Sequence, residues 1–212
     1  MSQTQPQLLI AAVAAVGVLH TMVPDHWLPI SLYARSANWS KGQVARAAAG
    51  AGLGHTLSTL ALGLIMWFVG ALAAQRYGHL VSFVSSLALI AFGLWVALSG
   101  YRELRGRDDA RAHAHEHVHA DKPSQRLTLL LILGSSPMVE GLPAFFAAGQ
   151  YGAPLLLGMS LVFAVATIST YIALCVGSLA GLQQLRLSAL ERYGELLSGA
   201  IIAALGAVFL FY

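Results

Sequence analysis

The chemistry open to this chain rests on a handful of residues. His20, Asp25, His26, His55 and Glu140 are ionisable side chains set within otherwise apolar runs. Hydrocarbon penalises such groups, by about 2.5–3.5 kcal/mol for an Asp or Lys at a helix centre even on lenient scales. An ionisable residue at membrane depth therefore points to function. Together these five form a set of imidazoles and carboxylates. Such donors suit first-row divalent metals (Ni, Co, Zn, Fe or Mn) better than Cu(I), which prefers sulfur. Imidazole must shed its proton to bind metal, so occupancy would depend on pH and could couple metal to proton movement. The single cysteine, Cys175, lies in an apolar run. It excludes an intrachain disulfide and a two-thiol redox relay.

The elements that must position these residues are membrane helices. The chain has 212 residues, 57% hydrophobic and only 10% charged, with a mean hydropathy of +0.69. Soluble domains carry about 25% charged residues. Six apolar segments, at 7–30, 43–73, 79–101, 127–149, 153–181 and 190–211, are each long enough to cross roughly 30 Å of hydrocarbon. The expectation is an all-α membrane protein with six transmembrane helices. The first seven residues hold no Lys or Arg, unlike a signal peptide, so the first run reads as a retained span.

Charge gives the orientation. Of the twelve Lys and Arg residues, Arg76 alone falls on the side shared by both termini; the other eleven fall on the opposite side. The positive-inside rule makes that opposite side cytoplasmic and puts both termini outside. The net charge of +3 is thus read as topology, with no nucleic-acid partner. The expected location is the cell (inner) membrane, multi-pass.

Helix geometry bears on the site. His20, His55 and Glu140 each lie 13 or 14 residues into their segments, roughly 20 Å deep, although the segments start from different sides. Asp25 and His26 are expected nearer the cytoplasmic face. On a regular helix His20 and His26 would point about 240° apart. Pro24 and Pro29 predict a break, because each proline lacks an N–H and clashes with the carbonyl four residues back, that of His20 and of Asp25. Pro137 and Pro143 bracket Glu140 in the same way. Broken backbone at membrane depth is tolerated where it lines a cavity.

A faint self-similarity runs at an offset near 112. Thr56-Leu57-Ser58-Thr59 echoes Thr167-Ile168-Ser169-Thr170; Ser86, Ile90 and Ala91 echo Ser198, Ile202 and Ala203; Pro24 falls against Pro137. The implied plan is two inverted three-helix repeats, at 1–101 and 127–212, with broken first and fourth helices. Secondary transporters are built this way. Residues 102–126 form a polar cytoplasmic linker in which His113, His115, His117 and His119 alternate. Such a tract is suited to metal capture.

At His20-x4-Asp25-His26, followed by Gly54-His55-Thr56, the chain resembles the nickel/cobalt transporter group: the NiCoT permeases and the related NicO and RcnA-like proteins of the lysine-exporter superfamily. The segment 135–143, around Glu140, is more loosely similar to that group's proline-bearing segment, and the His-rich linker resembles that of its efflux branch. The permeases have eight spans where six are counted here, and Pro24 stands where they usually carry Ala. The resemblance implies a metal site of His20, Asp25, His26 and His55.

The resulting expectation is a secondary transporter of a divalent transition metal, nickel or cobalt by resemblance, with Glu140 as ligand or proton acceptor. The cytoplasmic His tract favours efflux over uptake. The partners are then the metal ion and the bilayer, with a homo-oligomer left open. Two alternatives stay open: an exporter of another small solute (an amino acid, oxyanion or sulfite) on the same fold, and a metal-binding assembly factor that moves nothing. An anion carrier should show a basic residue inside the membrane, and none is visible. A membrane di-iron enzyme would need about eight clustered histidines; only His20, His26, His55 and His79 remain outside the tract. The chain is not expected to be an enzyme.

Overall fold

Proline placement explains where several helices begin. The computed structural model describes residues 4–77, 79–110, 137–179 and 188–211. Among them the regular elements are all helical: α1 (Thr4–Thr21), α2 (Pro24–Ser36), α3 (Lys41–Tyr77), α4 (His79–Ala110), a 3-10 turn Val139–Gly141, α5 (Leu142–Ala148), a second 3-10 turn Gly149–Tyr151, α6 (Ala153–Leu179) and α7 (Ser188–Phe211). Pro24, Pro143 and Pro154 each occupy the first or second position of a helix. There the missing N–H has no intrahelical acceptor to satisfy. The described parts of α3 and α4 contain no proline and run for 37 and 32 residues.

The first apolar run is broken at Met22–Val23. Pro24 cannot donate to the His20 carbonyl, which takes the Val23 N–H at 3.1 Å instead. Val23 is extended, with φ −62° and ψ 131°. The Trp27 indole then donates to the Met22 carbonyl at 3.1 Å, bridging the break. The two helices meet at 42°. Pro29 does not break α2 as its sequence position predicts. Its ring faces the carbonyl of Asp25 in the first turn of a 13-residue helix, and α2 runs on to Ser36.

α2 ends in a Schellman turn. Asn38, at φ 52°, takes the left-handed position; the Trp39 N–H reaches the Ala34 carbonyl and the Asn38 N–H reaches that of Arg35. Ser40 and Gln43 then form a reciprocal capping box that starts α3.

Three of the helices are long and apolar enough to cross a membrane: Lys41–Tyr77, Phe83–Arg102 within α4, and Ala153–Leu179. The bent α1–α2 pair makes a fourth if counted as one span. The apolar part of α7, Leu196–Phe211, is shorter, because Glu191, Arg192 and Glu195 occupy its first turns. The expected fourth span begins at 127, and its first residues, like the histidine tract, lie outside the described residues. Its described part, from Pro137 onward, is the short α5 flanked by 3-10 turns rather than one long helix.

Packing divides into two cores. One gathers Leu9, Val13 and Val16 of α1 with Phe145, Phe163 and Ile202; the other gathers Trp27 and Ile30 of α2 with Ala48, Ala51, Tyr171 and Cys175. α4 and α7 pack antiparallel along glycines. A Cβ on Gly93 would overlap the backbone nitrogen of Ala203, and one on Gly199 that of Ala97. Only glycine permits backbones this close.

Candidate metal centre

The break in the first apolar run and the middle of α3 supply the site. His20 ends α1, His26 lies in the first turn of α2, and His55 is midway along α3. Along an unbroken helix, six residues would separate His20 from His26 by about 9 Å of rise and point them apart. Across the Met22–Val23 break their ring centroids are 4.5 Å apart, 66° between planes. His26 is thus drawn back toward His20, as a break at Pro24 allows. His55 stacks on His20 at 5.5 Å and 19°, and meets His26 edge-on at 5.3 Å.

One ring nitrogen from each of the three lies within 4.8 Å of the others. Metal–imidazole bonds of 2.0–2.1 Å put tetrahedral donors roughly 3.3 Å apart. An ion held by all three would therefore require the nitrogens to close in from their present spacing. His26 and His55 are buried, and His55 has no exposed surface.

Glu140 comes to this cluster from the 3-10 turn Val139–Gly141. Its Oε1 is 3.4 Å from His20 Nδ1, with both side chains about 15% exposed or less. The other oxygen, Oε2, is buried and has no hydrogen-bond partner among the described residues. An ionised carboxylate removed from water is costly unless paired. A carboxylate beside three imidazoles is an arrangement that gains from a cation. The donor set, nitrogen-rich with one oxygen, matches first-row divalent metals.

Asp25 sits one residue before His26 in the first turn of α2, and its side chain is outside the described part of the structure. His113, His115, His117 and His119 also lie outside the described residues. The structure thus brings together His20, His26, His55 and Glu140.

Three further residues surround the cluster, unassigned by sequence reasoning. Tyr171, fully buried on α6, places its ring 6.2 Å from that of His26 and 6.1 Å from that of His55. It directly follows Thr170 in the repeated Thr-x-Ser-Thr segment, the one signal that could have marked it. Thr59, one turn after His55, donates to the His55 carbonyl at 2.8 Å and accepts the Met138 N–H at 2.9 Å. In sequence Thr59 reads as packing, and Met138 as another apolar residue.

Beyond the site, Arg35 at the end of α2 donates to the Ser178 carbonyl near the end of α6, and Cys175 lies 3.7 Å from the Trp27 carbonyl. Comparison with protein-family models, curated proteins and solved structures finds no match to the chain.

Proposed function

We propose that the protein is a secondary transporter of a divalent transition-metal cation, nickel or cobalt, across the cell membrane. The observation that carries this reading is the convergence of three imidazoles from three helices with a largely buried carboxylate, one oxygen of which lacks a partner among the described residues. The ion is cargo, held by His20, His26 and His55, with Asp25 as a further donor and Glu140 as ligand or proton acceptor. The match of His20-x4-Asp25-His26 and Gly54-His55-Thr56 to nickel/cobalt transporter motifs narrows the metal. The cytoplasmic His113 to His119 tract collects metal for export.

The full architecture is part of the proposal: six spans in two inverted repeats, with both termini outside. Contacts between the halves support it: Thr59 of α3 accepts the Met138 N–H, and Tyr171 of α6 meets the ring of His26, so the long helix of each half touches the broken segment of the other.

Flux of Ni²⁺ or Co²⁺ into proteoliposomes holding the purified protein tests the reading. Wild-type protein should move the ion, and His20→Ala and His55→Ala should not. Binding without flux would make the protein a metal-binding assembly factor, and equal flux in all three proteins would remove the site.

A further inference from the structure

We infer that Thr59 is a positioning residue that sets Glu140 against the histidine cluster and thereby determines which divalent ions the site prefers. This rests on the metal reading of the site.

The hydroxyl of Thr59 is fully buried and has one proton to give. The Met138 N–H can only donate, so the Thr59 oxygen must accept from it and direct its own proton to the His55 carbonyl. Both bonds therefore have a fixed direction. They tie two stretches 79 residues apart: the turn of α3 that carries His55, and the residue that precedes the 3-10 turn bearing Glu140.

The link from Met138 to Glu140 is short and has little freedom. Met138 is extended, with φ −77° and ψ 103°, and caps the turn Val139–Gly141 without a side-chain bond. Its side chain is fully buried. The turn folds over it so closely that a Cβ on Gly141 would lie 2.7 Å from Met138 Cε. Two residues later the Glu140 carboxylate reaches His20, and His20 stacks back on His55. The contacts close a ring: His55 backbone, Thr59, Met138, Glu140, His20, His55 side chain. Thr59 is the member that joins the carboxylate's segment to α3 without itself being a candidate ligand.

The consequence is selectivity. Imidazoles favour Ni²⁺ and Zn²⁺, whereas Mn²⁺ depends more on carboxylate oxygen. Loss of the Thr59 tie leaves three imidazoles in place and lets the carboxylate drift. Affinity for Mn²⁺ should then suffer more than affinity for Ni²⁺.

Calorimetric binding of Ni²⁺ and of Mn²⁺ to the full-length protein in detergent tests this, using wild type, Thr59→Val, Thr59→Ser, Glu140→Gln and the Thr59→Val/Glu140→Gln double variant. Valine keeps the shape and loses the hydroxyl; serine keeps the hydroxyl and loses a methyl. Thr59→Val should weaken Mn²⁺ binding by about tenfold, the low end of what outer-shell partners of metal ligands show, and Ni²⁺ binding by less than about threefold. Thr59→Ser should bind both ions like wild type, and the double variant should bind no more weakly than Glu140→Gln. A purely packing role predicts the reverse, with valine tolerated and serine impaired. That result, or multiplying effects in the double variant, would overturn the assignment. If Thr59→Val does not fold, Glu140→Gln alone decides: without the same Mn²⁺-over-Ni²⁺ loss there is no carboxylate for Thr59 to position. Wild-type protein that binds neither ion would instead overturn the metal reading, and this inference with it.

Discussion

The α4–α7 pair and the histidine cluster are opposite solutions to packing in one small protein. From Phe83 to Gly100 in α4, and from Leu196 to Phe211 in α7, there is no ionisable side chain. The two backbones lie so close that a Cβ on Gly206 would fall 2.7 Å from the Ile90 nitrogen and the Ser86 oxygen. Around the cluster the helix is broken, imidazoles meet ring to ring, and a carboxylate oxygen is buried without a partner among the described residues. The glycine seam leaves no room for rearrangement. The polar region holds unmet hydrogen-bonding capacity at Glu140 Oε2, which is where a ligand can gain binding energy. Scaffold and candidate site are thus separated in space, and substitutions can pull them apart.

The largest effect should come from the seam. Gly199→Val drives a side chain into the α4 backbone and should cost about 3 kcal/mol or more. Loss of a monodisperse peak in size-exclusion chromatography would register it, and a stable, well-behaved variant would refute the close approach. Next comes His55→Ala, which should abolish measurable Ni²⁺ binding while lowering the thermal midpoint less than Gly199→Val does. If the order of those two stability losses were reversed, the contrast between scaffold and site would fail.

Glu140→Gln sharpens the comparison further, because it should touch metal binding more than the scaffold. Losing the carboxylate's charge beside His20 should cost about 1.5 kcal/mol of metal-free stability, while Mn²⁺ affinity falls about tenfold and Ni²⁺ affinity less than about threefold. Denaturation with and without each ion reads these numbers, and a metal-free loss as large as that of Gly199→Val would show that Glu140 is structural. The smallest effect belongs to Ser40→Ala, at the capping box of α3 and remote from both regions. It should cost about 1 kcal/mol and leave Ni²⁺ affinity unaltered; a changed affinity would mean that α3 transmits strain to His55.

Much of the site was legible because charge stands out in an apolar run. His20, His26, His55 and Glu140 needed only their depth and the break at Pro24 to be placed near one another. Thr59, Met138 and Tyr171 were not legible in that way. A threonine, a methionine and a tyrosine in apolar helices look like packing, and their roles come from contacts across 79 or more residues. Pro29 misled because the bond it forfeits to the Asp25 carbonyl, inside α2, did not end the helix, which runs on to Ser36. Of the fold, helical character and membrane-spanning length were plain from composition. The glycine seam was not, since glycines in an apolar stretch do not reveal which of them touch. Six spans were counted from hydropathy, while the described helices supply three of full length, or four with the bent pair.

The break at Met22–Val23 has a mechanical meaning. His20 and His26 belong to two stiff rods that share a joint, and the Trp27 indole braces it by donating to the Met22 carbonyl. An ion gripped by both histidines would act as a strap across that joint. Its affinity would then include the work of holding the rods at their angle. Trp27→Phe, which touches no ligand, would change how tightly the strap closes.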